Sequence, residues 1–543
     1  MIRNRTRKSA YQRRDSDEKP NEKGSRQGNL PPSGELKEIF KRIRQETGDS
    51  PDIIIRELKL GDPSSESTFS ASAAVIFLNG LSDEKSINHF VMESLMKFKP
   101  NQEVISDKRK LMESLLEHSL SFGESIIENE WNDLILALLS GDTVVLIEGC
   151  DQVLLTGTKG GEWRSVTEPS SQLVVRGPKD SFVESIGTNI SLIRRRIKSP
   201  NLWMESMKIG SVTHTHVAIM YLQGVADKQL VEEIKRRLKD IHIDGVLESA
   251  YIEEFIQDNT FTPFPTVFNT ERPDVAAGNL LEGRVVLLVD GTPFVLILPT
   301  VFAQFFQSPE DYAQRYHISV LMRLIRFISF IILLLGPSVY IALTTFHYEM
   351  IPSLLLVSFM AQREGVPFPA FVEAMLMEVT FEILREAGVR MPRAIGQTVS
   401  IVGALILGQA VVEAGIITPI MVIVVALTGI ASFALPAYNL SIAGRLFRFY
   451  FMVLGGMFGF YGITLGLIVL VAHMNSLRSF GVPYLTPISP FVLQSQKDII
   501  LRFPMWMQKS PKQSGNKKEE IRVAEEVLPQ RNDNGSDHNP AKS

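Results

Sequence analysis

The chain has 543 residues, a length that exceeds one compact domain and allows two or three. Its net charge of −4 and its hydrophobic share of 45% are ordinary, so neither a strongly basic nucleic-acid binder nor a wholly apolar protein is indicated. Charged residues dominate up to about Lys239 and become scarce between Ser319 and Met474. This segregation indicates a soluble part joined to a membrane part. The single cysteine, Cys150, excludes an intrachain disulfide and fits a reducing compartment.

The two ends of the chain have the composition of disordered tails. Residues 1–34 and the last part of the 491–543 segment consist mainly of charged and small polar residues. Such segments bury too little apolar surface to offset the entropy of ordering. The basic start is expected to be solvated, with contact to anionic lipid as the alternative. No apolar stretch follows it, which argues against a cleaved secretory signal.

Residues 35–316 have the pattern of a soluble α/β region and contain an internal repeat. A Leu-Leu-x-Gly sequence, an apolar run, a glycine and a second apolar run recur in that order near residues 138–155 and 280–297. Each copy is typical of two strands joined by a tight turn, and Asp290-Gly291 is a strong hairpin signal. We therefore predict a cytoplasmic α/β domain of two related subdomains with β-hairpins.

One apolar stretch in this region, Val285–Phe306, is hydrophobic enough to resemble a membrane span. Gly291, Pro293 and Pro299 interrupt it, and the corresponding stretch near Val144 is too short to cross a bilayer. The sequence thus favours a buried β-hairpin here.

Residues 317–490 are predicted to form an all-α transmembrane domain, since a spanning helix needs about 20 mostly apolar residues. Four stretches qualify, which are Val320–Phe346, Ala394–Ala414, Ile416–Leu435 and Leu446–His473. An even number of crossings leaves both termini on one side. The apolar run that begins at Ile351 is too short to span and predicts an additional interfacial or re-entrant segment.

Arginines complicate this topology because Lys and Arg prefer the cytoplasmic side of a membrane. They flank the first predicted helix on the soluble-domain side at Arg315, Arg323 and Arg326, and follow it at Arg385, Arg390 and Arg393. A re-entrant Ile351–Ala361 would resolve the conflict by returning the chain to the cytoplasmic side.

The segment Pro367–Gly388 combines apolar residues at helical spacing with a row of acids. Glu378 and Glu382 are four residues apart, and Glu386 continues a slowly drifting row, whereas Glu373 falls on another face. One interpretation is an interfacial helix with its acids in water. The other is a helix that lines an aqueous path, where carboxylates repeated by several subunits would attract cations.

Small residues follow one stripe of the second predicted span, which permits close approach of helices in lipid. The stripe comprises Gly396, Ser400, Gly403, Ala404 and Gly408. It fits packing within one subunit or contact between subunits. On the same helix Gln409 and Glu413 share a face, and a charge in the bilayer should meet a cavity, a partner or the interface.

Several enzyme and cofactor classes lack their motifs in this sequence. There is no GxxxxGK[ST] phosphate loop, no GxSxG elbow and no HExxH helix. His214 and His216 have no nearby third ligand, so structural histidines are favoured over a metal site. The arginine run 194–196 is not interleaved with aromatic residues, which argues against nucleic-acid binding. We predict no enzymatic activity, no cofactor and no metal.

Residues Pro367–Gly415 read PFPAFVEAMLMEVTFEILREAGVRMPRAIGQTVSIVGALILGQAVVEAG, and this run resembles the signature of the GerA family of spore germination proteins, A-subunit type. Three further matches are Pro178–Ile197, Gly283–Pro299 and Tyr484–Pro490. Together the matches run from about residue 135 to residue 490, an interval that is most of the folded chain.

The resemblance implies a receptor subunit in the inner membrane of the dormant spore, with a transporter-like B subunit and a lipoprotein C subunit as partners. It also implies a homo-oligomer that forms a nutrient-gated channel for monovalent cations. The candidate pore or gating residues are then Glu378, Glu382, Glu386, Gln409 and Glu413. The alternatives are an auxiliary germination channel that does not respond to nutrient, a non-conducting signalling subunit and a secondary transporter.

Overall fold

The structure is a computed structural model, and it describes residues 34–60, 71–98, 108–118, 125–160, 168–169, 171–390, 408–491, 498 and 502–504. Contacts divide the chain into two compact units. The first comprises residues 1–162 and 197–204, and the second comprises residues 163–196 and 205–543.

The first unit is built on a five-stranded antiparallel sheet with strand order β1-β2-β4-β5-β3. Its elements in chain order are α1 (Leu36–Thr47), β1 (Ile53–Leu60), β2 (Ala71–Leu78), α2 (Glu84–Ser86), a π-helix (Ile87–Met92), α3 (Glu93–Lys97), α4 (Lys108–His118), β3 (Ser125–Glu128), α5 (Trp131–Leu139), β4 (Thr143–Ile147) and β5 (Val153–Thr156). Alternate residues of β2 enter opposite cores, with Val75 and Phe77 in one and Ala74 and Ile76 in the other. Helices therefore cover both faces of the sheet.

The second unit contains a sheet of the same strand order, β6-β7-β9-β10-β8, of which only the first three residues of β6 are assigned to the first unit. Its elements are α6 (Ile186–Arg196), β6 (Leu202–Ile209), β7 (Thr215–Leu222), α7 (Lys228–Lys239), α8 (Ser249–Ile256), β8 (Phe268–Thr270), α9 (Pro273–Leu281), β9 (Val285–Val289), β10 (Val295–Leu298) and a 3₁₀ helix (Phe302–Phe306). Leu296 pairs with Leu287 across β9 and β10, and every residue of both strands is buried. The Val285–Phe306 stretch is thus an antiparallel strand pair and a 3₁₀ helix, not a membrane span.

A helical part completes the second unit, so an α/β region precedes a helical region as predicted. Its elements are α10 (Glu310–Ala313), α11 (Tyr316–Thr345), a 3₁₀ helix (Tyr348–Met350), α12 (Ser353–Arg363), α13 (Ala370–Arg390), helical residues 408–413, α14 (Pro419–Phe433), α15 (Tyr438–Ser476), and the short strands β11 (Arg478–Ser479) and β12 (Val482–Pro483).

The four predicted spans are only partly matched. Among the described residues, two helices are long and apolar enough to cross a membrane, α11 and α15. The predicted span Ile416–Leu435 is observed as α14, whose 15 residues give about 22 Å and fall short of a full crossing. The predicted span Ala394–Ala414 lies largely outside the described residues.

Helix α15 is two antiparallel helices that meet at Gly459, which corrects the prediction of one continuous span over Leu446–His473. Gly459 has φ 58° and ψ −141°, outside the helical region. A methyl group placed on Gly466 would come within 2.9 Å of Phe451 Cε1, and one on Gly455 would lie 3.5 Å from Ile463 Cδ1. Residues 451 and 466 would be about 22 Å apart in a straight helix, so the chain must reverse between them.

Contacts with the sheet fix the direction of this hairpin. Phe447, in its first half, stacks on Phe264 at a centroid distance of 5.0 Å, and His473, in its second half, forms a 3.0 Å hydrogen bond with Thr262. Both open ends of the hairpin therefore lie beside the α/β region. The Gly459 turn lies at the far end, where His347 packs against it just after α11.

Helix α13 brings the chain back toward the sheet. Glu373, in its first turn, accepts hydrogen bonds from Thr418 at the start of α14, whereas Arg385 donates to Ser432 near the end of α14. The two helices therefore run side by side in the same direction. Arg385 and Arg390 come to lie toward the sheet, so α13 makes the return that the sequence assigned to Ile351–Ala361.

A buried ion-pair network joins the base of α11 to the C-terminal segment. Arg323 is fully buried and lies 3.0 Å from both Asp311 Oδ2 and Asp498 Oδ1. Arg326 binds the same Asp311 at 2.8 Å. The network ties together three segments that are far apart in sequence.

Replacing Gly459 by alanine tests the reversal. The substitution forces an L side chain into a glycine-type conformation and places its Cβ 2.7 Å from His347 Cε1. We expect a loss of about 2 kcal/mol in the free energy of unfolding, seen as a lower melting temperature of the purified protein in detergent. Gly365→Ala is the matched control, because a methyl group there meets nothing within 4 Å. Equal melting temperatures for Gly459→Ala and Gly365→Ala would contradict a turn that requires glycine at position 459.

Candidate functional site

The candidate site is a cluster of five charged side chains between α13 and α15, formed by Glu378, Glu382, Arg385, Arg445 and Arg448. Arg448 Nη2 lies 2.8 Å from Glu378 Oε2, and both side chains are fully buried. Glu378 sits on the face of α13 that packs against α15, so its carboxylate meets Arg448 and not lipid. A buried charge in a membrane helix requires such a partner.

Glu382 lies one helical turn further along α13 and is shared by all three arginines. It forms an ion pair with Arg445, and its Oε2 lies 3.6 Å from Arg448 Nη2 and 3.8 Å from Arg385 Nη1. Its side chain is 33% exposed, whereas those of Arg385 and Arg445 are each 11% exposed. The cluster is therefore excluded from solvent at Glu378 and partly accessible to solvent at Glu382.

The cluster carries three cations against two anions, and its hydrogen bonding is incomplete. Arg448 Nε, Arg448 Nη1 and Glu378 Oε1 are buried without a hydrogen-bond partner among the described residues. Buried polar atoms are normally satisfied, and each exception calls for a physical reason. The cluster is therefore held together by charge, with hydrogen-bonding capacity of Arg448 left unused among the described residues.

A second buried pair lies at the end of the bundle away from the sheet. Glu373 is fully buried and lies 3.4 Å from Arg363 Nη2, at the end of α12. Its other oxygen accepts hydrogen bonds from Thr418 N at 3.2 Å and Thr418 Oγ1 at 3.0 Å. This carboxylate joins three helices, α12, α13 and α14, a role that the sequence did not suggest.

The remaining candidate residues are not part of the cluster. Glu386 pairs with Arg390 at 2.6 Å, and both side chains are exposed. Gln409 Nε2 donates to Glu413 Oε1 at 3.1 Å, and this pair is also exposed. The predicted acidic row of α13 is therefore divided, with Glu378 and Glu382 turned inward and Glu386 turned outward.

The predicted helix-packing residues Gly396, Ser400 and Gly403 lie outside the described residues. Gly408 is described, and a methyl group placed on it would lie 3.9 Å from Val422 Cγ1 of α14. At this one position the close approach is between helices of the same chain.

The sequence analysis missed Arg445 and Arg448, which are two of the five members of the cluster. A signal was present, because two arginines three residues apart at the start of an apolar helix are costly in lipid and imply partners. The described residues contain no group of three or more His, Cys, Asp or Glu that could hold a metal ion.

These features define a membrane-associated protein with an α/β region followed by a helical bundle that contains buried ion pairs. The chain belongs to the GerA family, described as Bacillus/Clostridium GerA spore germination protein, which matches residues 41–513. The family prediction from Pro367–Gly415 is confirmed. The family comprises germination receptor subunits rather than enzymes.

Individual relatives agree with this assignment. Spore germination protein KA of Bacillus subtilis (strain 168) is 49% identical over 498 residues, which are 92% of this chain and 90% of that protein. Spore germination protein GerLA of Bacillus cereus is 40% identical, over 88% of this chain and 94% of its own length. Among solved structures, the N-terminal domain of the A subunit of the Bacillus megaterium spore germinant receptor GerK3 is 42% identical, with a TM-score of 0.40, over 50% of this chain and 98% of that one.

Replacing Arg448 tests whether the cluster holds the bundle together. In Arg448→Met the Glu378 carboxylate stays buried without its closest cation, and we expect a loss of about 3–5 kcal/mol in stability. The double variant Glu378→Gln with Arg448→Met removes both charges and should recover most of that loss. Arg390→Met is the control, because the exposed pair with Glu386 contributes at most about 1 kcal/mol. Thermal unfolding in detergent measures all three, and a double variant as unstable as Arg448→Met would contradict the pairing.

Proposed function

We propose that this chain is the A subunit of a nutrient germinant receptor in the spore inner membrane, where several copies form a nutrient-gated channel for monovalent cations. It acts with a transporter-like B subunit and a lipoprotein C subunit. Its α/β region lies on the side of the spore core. Membership in the GerA family supports the receptor role, and the placement of polar side chains in the bundle supports conduction.

The observation that carries conduction is the exposed pair formed by Gln409 and Glu413. Both side chains lie on the surface of a single chain, and their neighbours Val411 and Val412 are apolar. A charged group that faces hydrocarbon costs about 2.5–3.5 kcal/mol on insertion scales, so this face requires water or a partner. Several copies around a water-filled axis would supply both, and would place one carboxylate per copy along the path of a cation.

The buried cluster has a different role in this proposal. Glu378 and Glu382 hold α13 against α15 through Arg448 and Arg445, which fixes the position of α13 in the closed bundle. A gate opens only if the open state offers contacts that the closed state lacks. The spare donors of Arg448 are available for such an exchange, so we assign these carboxylates to gating and Glu413 to the ion path.

Ion flux through the purified protein in liposomes tests conduction, and Glu413→Gln tests the ion path. We expect cation flux from the parent protein and a several-fold lower preference for K⁺ over Cl⁻ in Glu413→Gln, since one negative charge per copy is lost. Glu349→Gln removes an exposed carboxylate from the 3₁₀ helix after α11, outside the spanning segments, and should leave selectivity unchanged.

Two outcomes would count against the proposal. If the liposomes show no ion flux when the B and C subunits and nutrient are present, the result would favour a non-conducting signalling subunit. Unchanged selectivity in Glu413→Gln would remove this residue from the ion path and leave the family assignment intact. A channel that conducts without the partner subunits and ignores nutrient would favour an auxiliary germination channel.

A further inference from the structure

An exposed apolar stripe runs along α8 and into the loop after it. Leu247, Tyr251 and Phe255 follow each other at intervals of four residues and are 69%, 41% and 54% exposed. Phe261 is 94% exposed, more than any other aromatic side chain that the structure describes. The adjoining part of the same apolar face is buried through Ile252 and Ile256. The apolar face of α8 is therefore wider than the part buried in the core, and its exposed part has no partner among the residues that the structure describes.

The contacts of α8 show that its exposed part lies next to the two ends of the helical hairpin. At its start, Ser249 and Ala250 line a cavity of about 320 Å³ together with Tyr438 and Asn439, the first residues of α15. After its end, Asp258 accepts a hydrogen bond from Gly481 N at 3.2 Å. The stripe thus lies between the two places at which the chain enters and leaves the helical hairpin.

The hairpin becomes apolar within one or two turns of these contacts. Apart from Tyr438 at its start, its exposed large hydrophobic residues begin at Ile442 and end at Val471, and His473, which bonds to Thr262, lies two residues beyond. Phe261 directly precedes Thr262. The aromatic residues of the stripe are therefore at the level where the apolar belt of the bundle ends, which is where membrane proteins concentrate aromatic anchors.

The charges beside the stripe exclude a site for anionic headgroups. Arg236 and Arg237 border Phe255, but both bind Glu233 and lower its pKa to about 2, so this carboxylate is ionised. Arg237 also pairs with Asp258 at 2.5 Å, and Arg236 with Asp240 at 3.4 Å. With the exposed Glu254 of α8 counted, two cations face four anions, which leaves no net positive charge to attract phosphate.

We propose that Tyr251, Phe255 and Phe261 insert into the interfacial layer of the bilayer and anchor the α/β region to the membrane surface. The partner is the boundary between headgroups and acyl chains, recognised by apolar contact and independent of lipid charge. Four side chains are far fewer than the 20–30 residues a side of a stable protein interface. The inference rests on the membrane location of the bundle and not on conduction.

The single cysteine of this chain makes a direct test possible. Cys150 is buried and can be replaced by serine, after which Phe255→Cys or Phe261→Cys introduces one labelling site into the full-length protein. Ser206→Cys is the control, because Ser206 is exposed on β6, at the edge of the sheet opposite β8 and about 19 Å across it. Each variant is labelled with bimane and reconstituted in phosphatidylcholine liposomes that contain lipid with a nitroxide on the headgroup.

We expect quenching at residues 255 and 261 to exceed that at residue 206 by at least threefold. The excess should be the same with and without anionic lipid, and at low and high salt. Quenching no greater than the control, quenching that requires anionic lipid, or a label at residue 255 that is immobile and unquenched would each overturn the proposal. The last result would identify a protein partner at the stripe.

A measurement on the unaltered protein guards against a labelling artefact. Lipid that carries a diazirine near its headgroup is photolysed in the same liposomes, and the modified peptides are identified by mass spectrometry. Adducts within residues 251–261 are expected alongside those on the exposed bundle residues Leu446 and Val471. Adducts on the bundle without any in 251–261 would overturn the anchor.

Discussion

Two carboxylates and three guanidinium groups lie between α13 and α15, and the packing of the helical bundle has to accommodate them. Glu378 pairs with Arg448 and Glu382 pairs with Arg445, so the two ion pairs lie one helical turn apart along α13. If α13 moved along α15 by one helical turn, about 5.4 Å, both ion pairs would shift together and one charge would be left unpaired. The position of α13 along α15 is therefore set by charge pairing as well as by apolar packing.

The turn at Gly459 determines the path of α15, the helix that carries Arg445 and Arg448. It folds the longest helix back on itself and brings both of its open ends to the α/β region, so that Phe447 and His473 touch the same loop, at Phe264 and Thr262. A displacement of that loop would reach both halves of the hairpin at once. Since Arg445 and Arg448 lie on the first half, the sheet is coupled to the charged cluster through a short series of packed side chains.

Much of the architecture follows from sequence patterns, and the failures have identifiable causes. The Asp290-Gly291 turn signal and the interrupting prolines correctly separated a strand pair from a membrane helix. Glu378 and Glu382 were selected from their spacing, but their partners were missed because Arg445 and Arg448 are remote in sequence and precede an apolar run that dominates any window. Gly459 was missed because a glycine inside an apolar helix commonly serves close packing. Its positive φ is a property of the tertiary fold that composition does not reveal.

The ion pair between Asp498 and Arg323 connects the C-terminal segment to α11 at the end of the bundle nearest the sheet. The chain that leaves α15 returns to the start of α11, so the first and the last long helices of the bundle are connected at this end. Widening at this end would have to break the contact of Asp498 with the buried Arg323, and widening at the opposite end would have to break the buried contact of Glu373 with Arg363. Both ends of the bundle are therefore held by ion pairs with buried members, so the helices can separate at neither end without leaving a buried charge unpaired.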